Sequence, residues 1–75
     1  MAFVRLHLQH DWLAVIGQCV EIRRGHTPVR TGVVDSVTDD GSILWIAAHG
    51  VHPRMMIERA LGFQVWVSYK WDTQR

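Results

Sequence analysis

The turn Thr38-Asp39-Asp40-Gly41 separates two stretches that each read as β-strand, and it constrains the chain more than any other segment. An Asp-Gly pair between apolar runs is a hairpin signature, because Gly supplies the left-handed residue that the turn needs. Before it, Val29 to Thr38 reads as a strand. Its apolar phase slips at Val33 and Val34 beside Gly32, which predicts a bulge there. After it, Ile43 to Ala48 reads as a strand that is apolar on both faces and carries Trp45. If Leu44 and Ile46 face inward, then Ile43, Trp45 and Ala47 face outward. A covering for Trp45 is therefore required.

The rest of the chain falls around this hairpin. Val4, Leu6 and Leu8 alternate with Arg5, His7 and Gln9, so residues 1–10 form a strand or arm. Asp11 caps a short helix over Trp12–Ile16, and Gly17 ends it. Val20 and Ile22 alternate with Glu21 and Arg23 and mark another strand. Gly25 and Pro28 punctuate the loop that follows. Arg54 to Leu61 carries Met55, Met56, Ile57, Ala60 and Leu61 at helical spacing, with Gly62 in the place of a C-terminal cap, and predicts a helix of one to two turns. Phe63, Val65, Val67 and Tyr69 alternate cleanly and form the last strand.

"GQCVEIRRGHTPVRTGVVDSV", Gly17 to Val37, resembles the KOW-type strand-turn-strand of SH3-like small barrels. It has a Gly, an alternating Val-x-Ile strand, a Gly turn and then Gly-x-Val-x-x-Val. "DGSILW" and the helical turn extend the resemblance to Val67. It implies an RNA- or protein-binding module of the kind found in ribosomes and transcription complexes. The expected fold is mostly β. It is an SH3-like barrel of about five short strands over residues 17–71, within a single domain of residues 1–75. A short N-terminal helix and a second helix before the last strand complete it.

Size and composition narrow the function. A 75-residue chain buries a modest share of its surface and needs a staple. Cys19 is the only cysteine, so no disulfide within the chain supplies one. Dense packing or self-association is left, and 48% hydrophobic content with four Trp suits both. A formal net charge of +1 steers no polyanion strongly. No apolar run approaches the roughly 20 residues that span a bilayer, and His7, Gln9 and Asp11 interrupt the place of a signal sequence. A cytoplasmic protein without membrane contact is expected.

Four candidate sites follow. Trp45, Trp66, Trp12 and Ile43 are the candidate protein interface. Trp45 and Trp66 both stand in outward phases and form one patch if their strands are neighbours. Trp and Arg anchor interfaces out of proportion to their number. The partner is a second copy of the chain or another protein, unless the N-terminal segment with Trp12, Leu13 and Ile16 covers the rings. Arg23, Arg24, His26 and Arg30 are the alternative, a basic loop for RNA or DNA, which Arg54 and Arg59 could extend. Guanidinium groups suit phosphates, and a nearby Trp supplies a stacking platform. Acidic residues Glu21, Asp35, Asp39 and Asp40 in the same region favour an ordinary solvated face. His7-x-x-His10 and His49-x-x-His52 lack the cysteine pair of a structural zinc site, so no metal or other cofactor is expected. Cys19 with a histidine, or Ser36 or Ser42 with His and Asp, yields no triad from the sequence, and an enzyme would need a site between subunits. A non-catalytic interaction module is the expected function.

Overall fold

The computed structural model describes residues 6–68. They form six antiparallel strands: β1 (Leu6–Gln9), β2 (Cys19–Arg24), β3 (Thr27–Val37), β4 (Ile43–Ile46), β5 (Met55–Glu58) and β6 (Phe63–Ser68). One sheet carries them in the order β1-β6-β2-β3-β4-β5. Among the described residues the two ends of that order, β1 and β5, do not pair, so the expected barrel closure is not seen there and the sheet is open. Val4, Tyr69 and the remainder of the expected N-terminal strand and last strand lie outside the described residues.

Local chemistry sets the connections. The expected N-terminal helix is a 3-10 turn, Trp12–Val15. Asp11 caps it, its carboxylate accepting from the Leu13 N–H at 3.1 Å. In the β3–β4 hairpin, Gly41 takes φ 72° and donates its N–H to the Thr38 carbonyl at 2.8 Å. The Asp40 carboxylate accepts from the Ser42 N–H and hydroxyl and from the Thr38 hydroxyl. These bonds hold its pKa below the ordinary carboxylate value, the Ser42 side chain contributing most.

One expectation about β3 to β6 changes. Arg54–Leu61 is not a helix: Met55–Glu58 is the strand β5, and only Arg59–Leu61 makes a 3-10 turn. Gly62 then ends that turn at φ 90°, as expected of a cap. The reason lies in β4. Its Leu44 and Ile46 are fully buried and its other face carries Trp45, so both edges need a ladder partner. β3 supplies one edge and β5 the other, with Leu44 opposite Ile57 and Trp45 opposite Met56. The bulge lies one step along from the expected Val33–Val34 slip: the β3–β4 register shifts between Val34 and Ser36. Gly32 serves close approach. A Cβ there would lie 2.6 Å from Ile46 Cγ2.

One face of the sheet gathers into a single core. Val20, Ile22, Val34, Leu44, Ile46, Ile57, Val65 and Val67 come from five strands, and Trp12 and Val15 of the 3-10 turn join them. Val37, Met55 and Phe63 pack against this cluster. The alternation expected of β4 and β6 is therefore observed, with Leu44, Ile46, Val65 and Val67 inside.

Candidate functional site

The outer face of β3, β4 and β5 holds Trp45. Its ring is half-buried although it points away from the core, because Arg54 covers it. The Arg54 guanidinium carbon lies 4.3 Å from the ring centroid, within cation–π range. The same guanidinium donates to Asp35 through Nε and Nη2, each at 2.9 Å, and to the Ser36 hydroxyl at 3.1 Å. The fork matches the carboxylate in the bidentate geometry that favours Arg over Lys. Hydrogen bonding from Arg54 is the largest cause of a lowered Asp35 pKa. Ser36 and Met56 flank Trp45 on the neighbouring strands, and Met56 is 42% exposed. Ile43 is half-buried at the start of β4, opposite Glu58.

Trp66 sits elsewhere. β6 is separated from β4 by β2 and β3, so the two rings do not share a pair of neighbouring strands, the condition on which a joint patch depended. Trp66 lies between Leu8 and Glu21 in the ladder, and Arg23 covers it at 4.8 Å while pairing with Glu21. Its indole Nε1 is buried and meets no acceptor among the described residues. Trp12 is 1% exposed and belongs to the core, so it presents no surface to a partner. It does not cover Trp45.

The basic cluster disperses on folding. Arg23 stacks on Trp66, and Arg24 on Phe63 at 5.1 Å. Arg30 donates to the carbonyls of Ala47 at 3.0 Å and Pro53 at 2.6 Å. Arg59 stacks on Trp12 at 4.3 Å and donates to the carbonyls of His10 and Gly41. Each arginine among the described residues is thus committed to the chain's own rings, carboxylates or carbonyls. Only His26 of the four basic-loop residues stands exposed without such a contact in hand. Sequence reasoning missed this device: an arginine paired with each of Trp12, Trp45, Phe63 and Trp66. The equal abundance of arginines and large aromatics was a signal, but the pairing depends on strand register.

A cavity of about 290 Å³ opens beside this face, lined by Cys19, Thr31, Gly32, Val33, Ala47, Ala48 and His49. It brings the free thiol of Cys19 to the same cavity as the imidazole of His49. His49 and His52 pair with each other through backbone bonds at 2.9 Å across a tight turn. The described residues assemble no group of three or more His, Cys, Asp or Glu that could hold a metal ion. No described helix is long and apolar enough to cross a membrane.

Comparison with protein-family models, with curated proteins and with solved structures finds no match to this chain.

Proposed function

We propose that the chain is a non-catalytic association module that docks a protein partner on the outer face around Trp45. The observation that carries this reading is the Arg54–Trp45 stack, held by Asp35 beside the exposed side chain of Met56. Trp, Arg and Met are the residue types enriched where proteins bury surface against each other. The clamp from Asp35 also fixes the guanidinium before binding, which lowers the ordering cost of association. An antiparallel six-stranded sheet with one core on one face supports an SH3-like small-barrel reading of the scaffold, with Trp66 as a secondary part of its outer face.

The test pairs two measurements on Trp45→Ala. Affinity purification from the source organism, compared between the unmodified protein and the variant, reads partner capture. Thermal unfolding of the dilute variant reads the fold. The proposal expects a protein partner lost from the variant while the unfolding midpoint stays near that of the parent. Unfolding of the dilute variant would return the ring to the core.

A second reading, nucleic-acid binding, keeps one observation in its favour. Arg24 is exposed, stacks on Phe63 and has no carboxylate partner among the described residues. Salt separates the readings, because phosphate contacts weaken steeply with ionic strength and a Trp–Met surface does not.

A further inference from the structure

We infer that the chain also self-associates, with Val51 of one copy entering the cavity at Cys19 of a second copy and the reverse. Val51 is 93% exposed at the tip of the turn His49–His52. Gly50 supplies that turn's left-handed residue at φ 59°. Two-residue turns favour Gly, Asn, Asp and Ser, which hydrogen-bond or take positive φ. A β-branched apolar residue at the tip contributes neither, and it contacts no core. The fold of a single copy gives no reason for Val51.

The cavity supplies one. Val33, Ala47 and Ala48 give it apolar walls, and no Asp, Glu, Lys or Arg lines it. Its occupation therefore buries no carboxylate, ammonium or guanidinium group. At about 290 Å³ it is small for a drug-sized ligand and ample for a valine side chain. His49 lines the cavity and also begins the turn that carries Val51, so knob and hole lie side by side on one surface. That adjacency is what a two-fold axis requires, since each copy must offer both halves of the same contact. Arg30 ties both ends of the segment that carries the tip, at Ala47 and at Pro53, so the knob is fixed in place. A net charge of +1 sets up little repulsion between copies. The patch is smaller than the roughly 20–30 residues that each side of a standard interface uses, so the dimer is weak and concentration-dependent.

The test uses the purified full chain and two readouts. Sedimentation equilibrium in reducing buffer from ~10 µM to ~1 mM follows the average mass. The rate of Cys19 modification by a small thiol reagent, over the same range, follows closure of the cavity. The unmodified protein is expected to rise toward dimer mass while Cys19 slows severalfold. Val51→Ser, a change at an exposed tip that leaves the core untouched, is expected to weaken association by ~10-fold or more and to remove the concentration dependence at Cys19. A parent that stays monomeric throughout overturns the inference. So does a Val51→Ser variant that dimerises like the parent, or a Cys19 rate that ignores concentration in a parent that dimerises. Retention of the Trp45 partner by Val51→Ser separates this surface from the association proposed above.

Discussion

The guanidinium of Arg54 lies over the ring of Trp45 at 4.3 Å while its fork grips Asp35, a residue nineteen positions away in the chain. The covering of the outward tryptophan is therefore a side chain of the same molecule. The guanidinium shields one side of the ring, and Trp45 stays half-buried on the outer face. Arg54→Ala removes this lid. The expected result is faster quenching of Trp45 by acrylamide and a moved Trp45 indole N–H resonance, with the core resonances unchanged. An unmoved indole resonance would contradict the stack.

Acid should open the same lid. The Asp35 pKa is lowered in the folded chain, chiefly by the hydrogen bonds from Arg54. A lowered folded pKa means that its contribution is fully present above the unfolded value. It is lost as pH falls through the folded one. The Trp45 indole resonance should therefore be flat from neutral pH to about pH 4 and shift only below it. Asp35→Asn should remove that acid shift and leave the spectrum already displaced at neutral pH. A shift centred near pH 6 would point to a histidine instead.

How much of this was legible in the sequence varies with the range of the interaction that decides it. The Asp11 cap, the Gly41 turn and the Gly62 terminus follow from local chemistry and could be read directly. The inward phase of Leu44, Ile46, Val65 and Val67 follows from period two. Met55–Glu58 could not be read this way, because a few consecutive apolar residues satisfy helix and strand alike. The second edge of β4 decided it. The phase slip at Val33 and Val34 is legible and lies next to the observed register shift between Val34 and Ser36, whereas the role of Gly32, whose missing side chain makes room for Ile46, depends on packing. Trp12, a candidate interface residue or cover for Trp45 in the sequence, is instead buried in the core. Its spacing of three from Val15, both buried, was the available signal. The partners of the arginines were out of reach, since Asp35 and Arg54 meet only once β3, β4 and β5 are in register.

Gly41 sits at φ 72° with open space where a Cβ would stand. Only the backbone conformation opposes a side chain there. Gly41→Ala should cost ~1 kcal/mol or somewhat more, and Gly41→Asn less, since Asn tolerates the left-handed region. Urea denaturation of the pair checks both size and order. Equal losses for Ala and Asn would mean that contact, not conformation, governs the site.

Trp12 and Trp45 should respond in opposite ways to truncation. Trp12→Ala empties a fully buried ring and should cost ~3–5 kcal/mol, enough to unfold a domain of this size at high dilution. Trp45→Ala removes a ring that the core does not use. Far-ultraviolet circular dichroism of the two dilute variants distinguishes them. A folded Trp12→Ala variant would show that the 3-10 turn is dispensable to the core.

Gly32 gives the sharpest test of packing. A Cβ at this position would stand 2.6 Å from Ile46 Cγ2, and Ile46 is fully buried in the strand that β3 pairs with. The backbone at Gly32 is not in the left-handed region, so strain of that kind plays no part. Gly32→Ala should therefore destabilise by overpacking alone, on the order of 1–3 kcal/mol. The clash falls on the branch methyl at Cβ of Ile46, which leucine lacks and valine keeps. Ile46→Leu should then relieve Gly32→Ala in the double variant, whereas Ile46→Val should not. The measurement is a double-mutant cycle by urea denaturation, in which the Leu pair shows a coupling of at least ~0.5 kcal/mol and the Val pair shows less. Additive losses in the Leu cycle would mean that Ile46 does not set the spacing of β3 and β4. The glycine would then owe its place to some other neighbour.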